Sequence, residues 1–255
     1  MSDLSAFSLA GKRILVTGAN TGIGQGIAVS IARAGGAVVG VGRSAMDETA
    51  EKIAAVGGRF EAVLCDLGDD AAAQAMLDRV WADTGPLDGL VNNAGIIRRA
   101  DAVDLTEADW DDVMGVNLKT VFFLSQSFAR RVLAEPGRRG KIVNIASVLS
   151  FQGGIRVASY TASKHGVLGI TRLLACEWAA KDINVNGIAP GYIETNNTEA
   201  LRTDPDRSAS ILARIPAGRW GAPEDIGDAA VFLLAPASNY MHGALVPVDG
   251  GWLAR

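Results

Sequence analysis

The sequence predicts a doubly wound α/β fold of the Rossmann type, a seven-stranded parallel sheet with helices on both faces, formed as one domain over residues 1–255. Three observations predict it. Short β-branched runs alternate with longer segments of helical period. Those runs are almost wholly apolar, as strands buried on both faces must be. The first run also leads straight into a glycine-rich turn and then a helix, the order in which α/β units hold a diphosphate.

In chain order, residues 12–17 read as the first strand and 22–34 as the helix after its turn. Residues 38–41, 60–65, 87–91, 141–146, 183–189 and 244–248 read as the remaining strands, and 46–56, 69–83, 107–133, 158–181 and 223–234 as the remaining helices. Thr106 followed by Asp109 is a capping-box type start, and Pro223 with Glu224 and Asp225 puts proline and acids in a first helical turn. The alternation breaks at 191–219, which is polar, lacks a strand signal and follows the carboxyl end of a strand, where open α/β sheets bind ligands. We expect a substrate-covering lobe there that can move.

Composition narrows the function classes. Apolar residues make up 49% and charged residues 20%, which suits a packed globular chain and is too apolar for disorder. A net charge of −4 with scattered basic residues leaves no footprint for nucleic acid or an anionic membrane. Residues 1–7 lack the charged-then-apolar layout of a signal peptide, and no stretch reaches ~18 uninterrupted apolar residues, so a soluble cytoplasmic protein is expected. Cys65 and Cys176 form neither a disulfide framework nor a zinc site; both read as buried small apolar residues, and no metal is expected.

Chemistry concentrates in Tyr160 and Lys164, four residues apart and preceded by Ser147 at the end of an apolar run. On a helix that spacing puts both side chains on one face. An ammonium beside a phenol favours phenolate and lowers a pKa that starts near ~10, which makes a tyrosine a usable acid or base. In the glycine turn, Gly18, Gly22 and Gly24, with Asn20, Thr21 and Ile23 between them, lie where backbone must approach a diphosphate. Asp66, just past the third strand with Leu67, is placed to contact adenine, though a strand-end cap explains it almost as easily. After the fourth strand, Asn92, Asn93, Ala94 and Gly95 suit a site whose two amides fix the backbone around a ribose. A serine hydrolase is disfavoured, since no G-x-S-x-G elbow exists and only His165 and His242 could act as base.

With Gly18, Gly22 and Gly24, Asn92 to Gly95, Asn117, Ser147, Tyr160, Lys164, Pro190 and Gly191 in this order, the chain resembles the short-chain dehydrogenase/reductase family over almost its whole length. The resemblance implies hydride transfer between a nicotinamide cofactor and a carbonyl/alcohol pair. It makes Tyr160 the proton donor or acceptor and Ser147 the holder of the substrate oxygen. Lys164 would bind the nicotinamide ribose, and Asn117 would anchor a water in a proton relay. Pro190, Gly191, Ile193 and Thr195 would complete the cofactor site. The family further implies a homotetramer, with helices 107–133 and 158–181 pairing across subunits and the tail at Gly250, Gly251 and Trp252 near another interface.

Cofactor choice turns on the end of the second strand, where NAD-preferring members carry an acid. Counting from the glycine turn, that position here is Gly42, followed by Arg43 and Ser44, and a missing carboxylate beside a guanidinium and a hydroxyl accommodates a 2′-phosphate. The residues therefore favour NADP(H) over NAD(H). Around the presumed pocket the segments 97–99, 150–156, 190–197, 214–221 and 248–255 are similar to the branch of the family that handles deoxy sugar acids, which is mainly NAD-linked, a pull in the opposite direction. Arg156, read as one helical turn before Tyr160, would meet a substrate carboxylate. Arg99, Gln152, Asn196 and Asn197 would serve the hydroxyls. Surface ion pairing explains each arginine about as well. Gluconate 5-dehydrogenase, a general 3-oxoacyl reductase and a non-catalytic nucleotide-binding protein remain the alternatives.

Overall fold

The computed structural model describes residues 4–255, so the first three residues of the stretch 1–7 lie outside the described residues. Seven strands, β1 (Arg13–Thr17), β2 (Ala37–Gly42), β3 (Arg59–Leu64), β4 (Gly89–Asn92), β5 (Gly140–Ile145), β6 (Ile183–Pro190) and β7 (Leu245–Val248), form one sheet in the order β3-β2-β1-β4-β5-β6-β7. Every pairing is parallel, with Ile14 of β1 beside Val38 on one side and Gly89 on the other. Seven expected strands are found, each within two residues of its expected bounds. The order reverses between β1 and β4, and the switch point opens a crevice above the strands' carboxyl ends.

Alternation along each strand sends neighbours to opposite faces. Ile14 and Val16 join one core with α1 (Gly22–Arg33), α2 (Asp47–Ala55) and α9 (Pro223–Leu234), through Ile27, Ile31, Ile53, Ile226 and Leu233. Leu15 joins the other core with α3 (Asp70–Thr84), α5 (Thr120–Leu133) and α6 (Ala158–Trp178), through Met76, Leu77, Leu124, Phe128 and Leu174. Edge strand β3 departs from the apolar rule, with Arg59, Glu61 and Leu64 exposed. Charge on an edge discourages pairing with another chain. Glycine sets the crossing of α1 and α9: a Cβ on Gly26 would lie 2.5 Å from the Pro223 Cβ, and one on Gly227 2.5 Å from the Ser30 Oγ.

Three expectations change. The stretch 107–133 is helical throughout but not regular: α4 (Glu107–Met114) runs into a π turn over Gly115–Lys119 before α5. The helix at 158 ends at Trp178, tightens over Ala179–Lys181 and closes with Asp182 at φ +58°. Cys65 is buried, but Cys176 is exposed, because it falls on the side of α6 away from the sheet while its neighbour Ala175 packs inward. The segment 191–219 contains α7 (Glu199–Arg202) and α8 (Pro205–Leu212). Asp204 starts α8 by accepting from the N–H groups of Asp206 and Arg207, ahead of a proline at the first helical position. Ile211 and Ile215 of this segment share a small core with Val148, Trp220 and Trp252.

Candidate functional site

A cleft of about 1000 Å³ opens at the switch point. Its first wall is the β1–α1 turn. Gly18 (φ +68°) and Gly22 (φ +55°) hold left-handed backbone that suits glycine. At Gly24 a Cβ would meet the Gly18 carbonyl oxygen at 2.0 Å and the Asn93 Nδ2 at 2.4 Å, so only hydrogen fits. The turn is tied to β4 by Thr17, whose hydroxyl donates to the Val91 carbonyl (3.2 Å) and accepts from the N–H of Asn93 (2.9 Å) and of Ala94 (3.0 Å). Asn93 returns its side-chain amide to the carbonyls of Thr17 (2.9 Å) and Gly18 (3.3 Å). This leaves the opening N–H groups of α1 without helical partners at the cleft, a ready place for a phosphate.

Asn92 does not share that work. One residue earlier on the strand, it faces the other way and donates to Ser125 Oγ (3.0 Å) and Asn144 Oδ1 (2.8 Å). At the β2 end, Asn20 donates to Ser44 Oγ (3.0 Å), and its side chain lies 3.3 Å from where a Gly42 Cβ would stand. Asp66 lines the cleft and caps its own turn, accepting from the Gly68 N–H at 2.9 Å. Arg43, Leu67, Gly95, Pro190, Gly191 and Thr195 also line the cleft. Ile193 does not: it is buried in the core behind α1 and α9.

Ser147, Tyr160 and Lys164 meet at the cleft's inner end, beside Ile145 and Ala146. Ser147 leaves β5 in extended conformation and accepts from the Leu149 N–H (3.1 Å), which fixes its rotamer. Tyr160 shares a side-chain hydrogen bond with it. The expected source of a depressed phenol pKa is not the one found. Lys164 Nζ lies 5.5 Å from the centre of the Tyr160 ring and donates to the Ile145 carbonyl at 2.7 Å. Burial raises the Tyr160 pKa above its ordinary value, partly offset by the Ser147 hydrogen bond and by the charge of Arg99. Burial also lowers the Lys164 pKa to about 8.

Asn117 is fully buried in the π turn, accepting from the Ile96 N–H (2.8 Å) and donating to the Ile96 carbonyl (2.9 Å). Its amide is spent on the loop after β4, so a relay water would fall to backbone rather than to this side chain. Arg99 and Asn197 meet, with Arg99 Nη2 donating to the Asn197 carbonyl at 3.2 Å. Asn196 and Asn197 line the cleft; Arg99, Gln152 and Arg156 do not, though the charge of Arg99 still acts on Tyr160. Arg156 precedes the helix rather than riding on it, at φ +62°, and pairs with Asp101 at 3.1 Å, both side chains exposed. Sequence reasoning missed Ile96, Asp111, Asp112, Gly115 and Val116, which also line the cleft. Their place directly downstream of Gly95 and upstream of Asn117 was the available signal.

Among the described residues, no three His, Cys, Asp or Glu side chains cluster to hold a metal ion, and no helix is long and apolar enough to cross a membrane. A family model described as enoyl-(acyl carrier protein) reductase, within the short-chain alcohol dehydrogenase group, matches residues 18–253. The chain is 57% identical over 252 residues to a 2-dehydro-3-deoxy-D-gluconate 5-dehydrogenase of Dickeya dadantii, covering 99% of each. It is 62% identical, with a TM-score of 0.92, to a crystal structure from Agrobacterium tumefaciens provisionally described as a 2-deoxy-D-gluconate 3-dehydrogenase with bound NADP, covering 98% of this chain and 99% of that one. A gluconate 5-dehydrogenase from Burkholderia cenocepacia in complex with NADP and tartrate is 38% identical, TM-score 0.93, and is matched over 100% of both chains.

Proposed function

Because the chain belongs to the short-chain dehydrogenase/reductase family, a group of NAD(P)-dependent oxidoreductases that act on CH–OH groups, we propose that it transfers hydride between NADP(H) and a deoxy sugar acid of the 2-dehydro-3-deoxy-D-gluconate type. The observation that carries the reading is the convergence of Ser147, Tyr160 and Lys164 at the inner end of a cleft whose other wall is a glycine cradle. Full-length identity to enzymes of that substrate class supports the choice of substrate.

The residues fit a dinucleotide. Gly18, Asn20, Thr21, Gly22, Ile23 and Gly24 would hold its diphosphate, Asp66 and Leu67 its adenine, and Asn93, Ala94, Gly95, Tyr160 and Lys164 its second ribose, with Pro190, Gly191 and Thr195 beside the ring. Ile193, buried behind the wall, would contribute through its backbone. When bound, the nicotinamide supplies or accepts the hydride. The chain's own part is the proton: reducing a ketone requires one at its oxygen, which Tyr160 gives, and oxidation returns it. Ser147, fixed by the Leu149 N–H, holds that same oxygen where negative charge develops. Asn117 keeps the loop after β4 in place. Arg99, whose charge favours the Tyr160 phenolate, stands with Asn197 where a substrate carboxylate and hydroxyls would enter. The segment 191–219 would cover them. Arg156, tied to Asp101, is dropped from this set, and Gln152 stands outside the cleft.

The preference for NADP(H) is supported by a β2 end without a carboxylate, where Asn20, Arg43 and Ser44 stand together. Exposed Leu133 and Leu173 on α5 and α6 support pairing of those helices in a homotetramer. The test is initial rates on 3-deoxy-D-glycero-2,5-hexodiulosonate with NADH and NADPH in parallel, with D-gluconate oxidation as control. Turnover of the diulosonate with NADPH favoured is the expected result. Turnover confined to gluconate would move the chain to the gluconate 5-dehydrogenase class.

A further inference from the structure

Behind the glycine turn, on the side away from the cleft, lies a polar network inside an otherwise apolar layer. Thr49 of α2 has no exposed surface, and Gln25 of α1 is 8% exposed. Around them pack Ile27, Ala28, Met46 and Ile53. The Thr49 hydroxyl donates to the Ala19 carbonyl (2.8 Å) and accepts from Gln25 Nε2 (3.0 Å). Gln25 Nε2 also reaches the Asn20 carbonyl at 3.5 Å, while Gln25 Oε1 accepts from Lys52 Nζ at 2.6 Å. A hydroxyl has one proton to give, so each bond fixes the direction of the next. The chain of donors runs from the Lys52 ammonium through Gln25 and Thr49 to the carbonyls of Ala19 and Asn20.

Two buried polar side chains cost free energy unless every group is satisfied, and here their donors end on the backbone of the cofactor turn. Asn20 is the residue so held, and its side chain bonds Ser44 and fills the space beside Gly42. We infer that Gln25 and Thr49 are positioning residues that set Asn20 against Ser44, and through that corner set how strongly the site distinguishes a 2′-phosphorylated adenosine ribose from an unphosphorylated one. The inference rests on the reading that the corner of Asn20, Arg43 and Ser44 receives that phosphate.

The test is the Thr49→Val variant of the full-length protein, which keeps the shape and removes the hydroxyl. Affinities for NADP⁺ and NAD⁺ are measured by calorimetry, and kcat and KM with each reduced cofactor beside them. In Thr49→Val the ratio of the two dissociation constants is expected to move at least about fivefold against NADP⁺. The change should fall in KM rather than kcat, and Thr49→Ser should restore it. Should Thr49→Val fail to fold, Lys52→Met, at the half-exposed outer end of the network, is expected to shift the ratio the same way by about twofold. Ser30→Ala, which breaks a different, partly buried contact of α1, to Asp228, controls for a general loss of stability and should leave the ratio alone. A ratio unchanged in the folded variants overturns the inference, as does an equal loss for both nucleotides. The wild-type ratio reports separately on the NADP(H) reading: a wild type that prefers NAD⁺ sinks that reading, while a shift of the ratio in Thr49→Val still supports the positioning role.

Discussion

The half of the cleft proposed for nucleotide and the half proposed for substrate are built by different means. On the nucleotide side the shape is backbone: left-handed glycines, a Gly24 with room for hydrogen alone, and an Asn93 amide clamped on the carbonyls of Thr17 and Gly18. On the other side the shape is made by side chains on loops, such as Asn196 and Asn197, and by the segment 191–219, whose Ile211 and Ile215 share a small core with Val148, Trp220 and Trp252. Backbone walls permit few residues, so they leave strong marks in a sequence. Side-chain walls permit many, so one arginine reads like another until its partner is known.

The contrast can be broken most severely at the point where the halves meet. Tyr160→Phe is expected to lower kcat/KM by about 10³-fold while nucleotide still binds, in line with the usual worth of a positioned acid or base; steady-state rates with a binding titration would check it, and unchanged turnover would remove the catalytic assignment. Next in size, Gly24→Ala forces a methyl against the Gly18 carbonyl and should weaken nucleotide binding by about 100-fold, at a stability cost of about 1–3 kcal/mol read by urea unfolding.

A pair of arginines tests the substrate half. Arg99→Met removes a charge that lowers the Tyr160 pKa, so the pH limb for alcohol oxidation should move to higher pH, with KM for the sugar acid up about tenfold. Arg156→Met should leave both within about twofold, because its partner is Asp101 at the surface. Equal effects of the two variants would erase the distinction drawn between them.

The smallest expected effect lies in stability. Burial holds Lys141, bonded to the Ala235 carbonyl and Ser238 Oγ, and Lys164 each at about 8. Both fall below their unfolded value, so folding works against their charge at neutral pH, and that penalty fades as pH rises from about 8 toward ~10.4. Urea midpoints should therefore rise between pH 8 and 10, by about 1–2 kcal/mol per lysine. Lys141→Met should flatten that rise by its own share.

The inner strands were legible in the sequence because their apolar runs have one physical cause, burial on both faces, and although the edge strands β3 and β7 lack that burial, all seven were placed to within two residues. Ser147, Tyr160 and Lys164 were legible as a group, and the cleft brings them together. What stayed hidden depended on chain direction at single residues. The left-handed Arg156 turns its side chain from the pocket to Asp101, the π turn at Gly115–Lys119 swings Asn117 onto Ile96, and Cys176 falls on the outward side of its helix. The α8 start had been readable from Asp204 and Pro205, a cap followed by proline, but the polar composition of the segment masked it.

The contact of Gly26 with Pro223 joins a helix near the start of the chain to one near its end. A chain being synthesised exposes the apolar side of α1, with Ile27 and Ile31, until α9 has emerged to cover it. The turn that α1 supports is thus among the first parts to be made and among the last to be braced. Nucleotide cannot serve as an early scaffold for this protein; it can only fasten a chain already complete, and loss of the last quarter of the sequence should abolish nucleotide binding even though no residue of α9 lines the cleft.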